Sequence, residues 1–151
     1  MRIIIDADAC PSINLVEDLA YSYKIPVIIY CDNTHNITSE YAEVITMDKG
    51  YQNVDIAIAN NVKEFDIVLT QDYGLALIVL ARKASAIHPK GLIYSFDNLN
   101  IMLAERHLNA TLRRNGHRTR GPKKRNSDDD EKLIKNLTEL ISNIEFNKEI
   151  I

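Results

Sequence analysis

IIIDADACP, residues 3–11, runs an apolar strand into two aspartates, Asp6 and Asp8, and then into a cysteine and a proline. Ile3 to Ile5 read as a buried strand, and Pro11 suits the first turn of a helix, so both carboxylates fall on the connection between them. Outward from this stretch, strand-like and helix-like segments alternate. Residues 11–23 place Ile13, Val16, Leu19, Ala20 and Tyr23 on one helical face; Pro26 to Tyr30 reads as a second strand and Glu43 to Thr46 as a short third. Asn53 to Val62 reads as a helix with Val54, Ala57, Ile58 and Val62 inward, Asp66 to Thr70 as a fourth strand, and Tyr73 to Lys83 as the next helix. ASAIHPKGLIYS, residues 84–95, gives two short strands around a turn at Pro89 to Gly91, and Asn98 to Leu112 a helix with a wide apolar face. The alternation predicts an α/β sandwich with a mostly parallel central sheet and helices on both faces.

The last segment extends this pattern. Ser127, with Asp130 three residues on, resembles a capping box, and Leu133, Leu137, Leu140, Ile141 and Ile144 form a tight apolar stripe. The spacing predicts a C-terminal amphipathic helix over 126–151, packed on the domain formed by residues 1–125 or on a second copy as a homodimer.

In an open parallel sheet, residues just past the C-terminal strand ends share one edge, and the ligand crevice opens where strand order reverses. Asp6 and Asp8 follow the first strand, and Asp72 follows the fourth. If those strands are neighbours, the three carboxylates converge, an arrangement that repels itself unless protons or a cation neutralise it. Mg²⁺ or Mn²⁺ suits such oxygen ligands, and Asp55 could supply a fourth. Plainer roles exist: Asp72 as the cap of the helix beginning at Tyr73, Asp55 as a favourable charge in a first helical turn. Asp6 and Asp8 resist that explanation as a pair, because only one acid can cap. Thr70 and Gln71 sit on the same edge, where they could hold a water or a phosphate oxygen. Cys10 has no histidine near it in sequence and reads as a small packing residue rather than a nucleophile.

At 151 residues, 46% hydrophobic and 26% charged, the chain suits one soluble domain. The longest uncharged apolar run, Tyr73 to Ala81, is too short for a membrane span, and the N-terminal strand pattern has no basic leader, so a cytoplasmic protein is expected. Two cysteines without a Cys-x-x-Cys, and four scattered histidines, argue against disulfides or a structural zinc site. The net charge of -3 hides an asymmetry: RRNGHRTRGPKKR, residues 113–125, holds seven of the eighteen Lys and Arg residues. Such a patch on an acidic protein points to a polyanion, with a solvated loop as the plain alternative. Arg106 and Arg113, seven apart on one helix, could lead a phosphate backbone toward the acidic edge.

DADACP at 6–11, the pattern around Asp55, LTQDYGLA at 69–76, NLNIMLAERH at 98–107 and RGP at 120–122 together resemble the YaiI/YqxD family of bacterial proteins. That family looks like a member of the PIN-like group, whose relatives are metal-dependent nucleases with an acidic cluster at the C-terminal edge of a parallel sheet. The resemblance implies a PIN-like three-layer sandwich, with Asp6, Asp72 and Asp8 as metal ligands and Asp55 at a helical acidic position. Lys83-Ala84-Ser85 departs from the Lys-Gly-Ala of the family pattern and leaves the acidic set intact.

Three functions fit these residues. The first is a Mg²⁺- or Mn²⁺-dependent nuclease acting on RNA in preference to DNA, its catalytic residues Asp6, Asp8 and Asp72 and its backbone contacts Arg106, Arg113, Arg114, Arg118, Arg120, Lys123, Lys124 and Arg125. The second is a nucleic-acid or protein-binding module with the same fold and no turnover. The third is a phosphatase with Asp6 as aspartyl nucleophile, for which the edge offers no convincing lysine.

Overall fold

β1, Ile3–Asp6, is the middle strand of five, and the computed structural model describes its surroundings over residues 1–48, 53–121 and 123–150. Pro122 of the RGP stretch and Ile151 lie outside the described residues. β1 pairs with β2, Val27–Asp32, on one side and β4, Ile67–Leu69, on the other; β3, Glu43–Met47, flanks β2, and β5, Ser85–Ile87, flanks β4. All four pairings are parallel, in the order β3-β2-β1-β4-β5. The chain steps outward from β1 to β3, then returns to the far side of β1. Strand order therefore reverses between β1 and β4.

The apolar runs follow from burial on both faces. Ile3, Ile5, Ile29, Ile67 and Leu69 point to one face, where Val16 and Ala20 of α1, Ile13–Ser22, and the stripe of α5, Ser127–Ile150, cover them. Ile4, Tyr30 and Val68 point to the other, covered by α2, Val54–Asn61, α3, Tyr73–Ala81, and Leu99 of α4, Phe96–Arg114. The result is a three-layer sandwich. Side chains covered on both faces need no polar alternation, which is why IIID and IVL read as continuous apolar segments.

α5 is held by more than its stripe. Asn136 Nδ2 donates to the Gly91 carbonyl at 2.6 Å, Arg125 Nη1 to the Pro89 carbonyl at 2.6 Å, and Ser12 Oγ to Asp130 at 3.0 Å. Gly91 has φ +97°, and a Cβ there would lie 2.7 Å from the Lys132 and Leu133 backbone. Positive φ and a clash with helix backbone act together, so Gly91→Ala should lower stability by about 2–4 kcal/mol, read as a reduced urea midpoint at unchanged m-value.

Several boundaries differ from expectation, each for a local reason. A single 3-10 turn, Ala7–Ala9, intervenes after β1, so Pro11 precedes α1 instead of lying in its first turn. α1 ends at Ser22, leaving Tyr23 40% exposed and off the core. α3 stops at Ala81 because Lys83 turns left-handed, at φ 61°. The second short strand after the 89–91 turn is only one antiparallel bridge, Ile87 to Ile93. α4 starts two residues early because Ser95 and Asn98 form a reciprocal capping box. Its wide apolar face is not buried: Leu99 is, but Ile101 is 61% and Leu108 58% exposed. The cap of α5 is Asn126 with Asp129, one residue before the expected Ser127 and Asp130, and Asp130 instead pairs with Arg125.

Candidate functional site

Thr70, fully buried just past β4, ties the two strand ends at the reversal point together. Its hydroxyl donates to Asp6 Oδ2 at 3.0 Å and accepts the Asp72 N–H at 3.0 Å, while its carbonyl accepts the Tyr94 hydroxyl at 3.0 Å. Asp6, the last residue of β1, is 5% exposed. Burial pushes its carboxyl pKa up, repulsion from Asp8 and Asp72 adds to that, and the Thr70 bond opposes it.

Asp72 is the N-cap of α3, accepting the Leu75 N–H at 3.0 Å, so its plain structural role is real. A Cβ at Gly74 would sit 3.2 Å from Asp72 Oδ1, and glycine leaves that carboxylate uncrowded. Asp55, in the first turn of α2, is within hydrogen-bonding reach of the Asp72 carboxylate. Two carboxylates in contact share one proton. Asp55 holds it: burial first, then the Asp72 contact and the charges of Asp72, Asp6 and Asp8, push its pKa up to about 7. Burial also pulls Asp72 upward, but the Leu75 N–H, the Asp55 proton, the Gly74 N–H and the Arg106 charge outweigh it and keep Asp72 below its ordinary range.

The sign of the pH effect follows. The folded chain holds the Asp55 proton more tightly than the unfolded chain does, so stability falls as pH rises from about 4, and the loss is complete once Asp55 ionises near 7. Asp72 works in the opposite sense at lower pH, its contribution lost as pH falls through its depressed value. Both side chains reach solvent, which screens these effects.

Asp8 lies in the 3-10 turn, exposed, with Oδ1 3.3 Å from His35 Nδ1. His35 in turn lies 2.9 Å from Asp32 Oδ1, and among the described residues Asp8, Asp32 and His35 bring ligand atoms within 4.8 Å of one another. The Thr34 and His35 hydrogen bonds push Asp32 down to about 2, and the Asp32 bond raises the His35 pKa. Sequence reasoning missed both residues. The signal was available: Asp32 ends β2, and β2 neighbours β1, so the same edge argument applies.

The remaining candidates divide. Gln71, Arg106 and Arg113 line one cleft of about 370 Å³ between the β4–α3 turn and α4, together with Tyr73, Glu105 and Asn109. Arg114 reaches Thr111, and Arg118, Arg120, Lys123 and Lys124 are exposed. Arg125 is spent on structure, paired with Asp130 at 2.5 Å and bonded to Pro89, and is no longer available to a polyanion. Cys10 is buried, its thiol pKa raised by that burial, as befits a packing residue. Asp6, sequestered behind Thr70, is poorly presented as an aspartyl nucleophile. Among the described residues no helix is long and apolar enough to cross a membrane.

The donor set at the edge is carboxylate oxygen, the chemistry that hard divalent cations take. Burial raises the Asp55 pKa most, and repulsion from Asp72, Asp6 and Asp8 adds to it, as expected for like charges held near one another.

Comparison with known proteins adds a lineage to this geometry. No solved structure matches the chain. A UPF0178 protein of Clostridium novyi is 52% identical over 142 residues, covering 94% of this chain and 95% of that protein. One from Clostridium kluyveri is 50% identical over 143 residues, and one from Clostridium perfringens 44% over 144, covering 95% of this chain and 94% and 97% of those proteins. The model described as "Uncharacterized BCR, YaiI/YqxD family" matches residues 4–143, a span that takes in all four aspartates, the cleft and most of α5. With the match running from β1 through the last buried turns of α5, the chain belongs to the YaiI/YqxD family.

Proposed function

We propose that this protein is a Mg²⁺- or Mn²⁺-dependent phosphodiesterase of the PIN-like nuclease type, acting on RNA. The observation that carries the reading is the placement of Asp6 and Asp72 on the two sides of Thr70 at the strand-reversal edge, with Asp8 and Asp55 near enough for their charges to act on that pair. These four would hold the ion, which supplies a water of lowered pKa and charge stabilisation at the phosphoryl group. Thr70 fixes the Asp6 carboxylate, and the Leu75 N–H fixes that of Asp72, so two donors are oriented before any ligand arrives. Arg106, whose charge already acts on Asp72, offers a guanidinium to an incoming phosphate. The exposed Arg113, Arg114, Arg118, Arg120, Lys123 and Lys124 continue that basic track away from the acids.

A binding module without turnover is favoured by one observation: Asp6 is 5% exposed and already accepts the Thr70 bond, which leaves it less to give a cation.

Titration calorimetry of Mn²⁺ and Mg²⁺ into metal-stripped protein tests the proposal. Saturable binding is expected, lost in Asp6→Asn and Asp72→Asn. Below pH 7 the ion must displace the Asp55 proton, so affinity should rise about tenfold per pH unit up to 7 and then level, with buffer-dependent heats reporting the released proton. Intact protein that binds neither ion would remove the basis of the reading.

A further inference from the structure

We infer that the cleft beside Asp72 seats one unpaired nucleotide of a single-stranded polynucleotide, with its base against Tyr73 and its phosphates on Arg106 and Arg113. The inference rests on the phosphodiesterase reading for the position of the reacting phosphate, and it adds a substrate class to that reading.

Size comes first. The cleft, about 370 Å³, lies near the small end of the ~300–1,000 Å³ range of small-molecule sites, a size on the scale of one nucleotide. A duplex would have to surrender a base to enter it.

Composition comes second. Tyr73 and Met102 give the lining an aromatic ring and a thioether, while Glu105, Arg106, Asn109 and Arg113 make the rest polar. That is the chemistry a nucleotide asks for: a stacking surface, acceptors and donors for a base edge, and guanidinium groups for phosphate. The Tyr73 ring is held edge-on by Tyr94, centroids 6.1 Å apart at 67°, and Tyr94 is itself anchored on the Thr70 carbonyl at 3.0 Å. The stacking surface is thereby fixed to the same residue that positions Asp6 and Asp72.

Placement comes third. Arg106 lines the cleft together with Gln71 and Tyr73, the two residues that flank Asp72 in the chain, so a phosphate bound there would lie beside the acidic edge. Arg113, two turns further along α4, is braced by a 3.0 Å bond from Nη1 to Thr119, which still leaves it donors for a second phosphate. Glu105 accepts only, and so selects amino groups or a ribose hydroxyl over carbonyl edges.

The test is done in EDTA, so that it does not depend on a divalent ion. Adenosine 5′-monophosphate, inorganic phosphate, a short oligoadenylate and the same strand in a duplex are titrated into the full chain, and the tyrosine ring signals are followed by NMR. The nucleotide should bind saturably, more tightly than inorganic phosphate, and should shift the Tyr73 ring; the single strand should bind and the duplex should not. Tyr73→Ala should weaken nucleotide binding about tenfold. Arg113→Gln, at an exposed position that does not threaten the fold, should weaken it several-fold. Nucleotide binding no tighter than phosphate, equal binding of the duplex, or unchanged binding in both variants would overturn the inference. Metal-dependent cleavage assayed in parallel separates the two ideas: cleavage without nucleotide binding in EDTA overturns this inference alone. Nucleotide binding in a protein that takes up no divalent ion overturns the phosphodiesterase reading and supports the site.

Discussion

With Asp72→Asn, Mn²⁺-dependent cleavage of RNA is expected to fall by about 10²–10³-fold while the protein stays folded. The fold should survive because an asparagine side-chain oxygen still accepts the Leu75 N–H and caps α3. What the substitution removes is the negative charge, and with it a proposed ion ligand and one of the charges that, with burial, raise Asp55. The Asp55 pKa should therefore drop below about 7, although burial, the largest cause of its elevation, remains; carbon-detected NMR reads the change, and a spectrum that keeps its folded dispersion separates it from unfolding. Asp6→Asn should lose cleavage to a similar degree, since the Thr70 hydroxyl can still donate to an amide oxygen there. Thr70→Val is the informative contrast: it keeps every charge but takes the hydroxyl donor from Asp6 and the acceptor from the Asp72 N–H, at a cost of about 1–3 kcal/mol in stability and a smaller loss of rate. Cleavage at the wild-type rate in both aspartate variants would dispose of the carboxylate mechanism.

The strands and the acids at their ends were legible because they rest on apolar runs, which the chain states openly, whereas the adjacency of β1 and β4 entered only as a condition that the strand order meets. Ile3 to Ile5 and Asp66 to Thr70 are apolar because both faces are covered, and the acids after them share an edge once the strands are parallel. What stayed hidden was set by side-chain competition. Asp130 looked like a capping partner for Ser127, but Ser12 and Arg125 claim it, and the cap passed to Asn126 and Asp129. Arg125 looked like one more basic residue of the loop until that same pairing withdrew it. His35 and Asp32 escaped because the strand-end argument was applied to β1 and β4 alone, although Asp32 closes the second strand and the parallel β1–β2 pairing brings the turn after β2 beside the turn after β1. The apolar residues of α4 misled in the other direction, since periodicity reports a stripe and not whether anything lies opposite it.

Carboxylates occupy both ends of the β1–β4 pair, and the protein treats them in opposite ways. At the C-terminal end Asp6 and Asp72 meet at Thr70, and the charges of both act with burial to raise the Asp55 pKa. At the N-terminal end Asp66, 2% exposed, has a full set of donors: Arg2 N and Nε at 3.0 and 3.2 Å on Oδ1, and Arg2 Nη2 and Lys63 N at 2.6 and 2.9 Å on Oδ2. Arg2 and Asp66 immediately precede the paired residues Ile3 and Ile67, so this contact fixes the start of the register whose far end delivers Asp6 beside Thr70. A neutralised acid marks where the fold needs charge for structure, and an unneutralised cluster marks where it tolerates charge for something else.

Asp66→Ala is accordingly expected to cost about 3–5 kcal/mol, the range for leaving one member of a buried pair alone. Arg2 would lose its partner while its guanidinium remains 26% exposed, which places the loss toward the lower end of that range. Two main-chain N–H groups, of Arg2 and Lys63, would lose their acceptor as well, which raises it again. Thermal unfolding should show a midpoint lower by roughly 10 °C, with Asp66→Asn intermediate because an amide oxygen keeps half the acceptors. Below that midpoint the Mn²⁺ affinity expected of the proposed site should match the wild type, because Asp66 stands at the opposite end of the strands from Asp6 and Asp72. A variant that unfolds early yet binds the ion normally would separate the acid that builds the sheet from the acids the sheet presents; unchanged stability would mean that the β1–β4 ladder and its apolar faces hold the register without the Arg2–Asp66 contact.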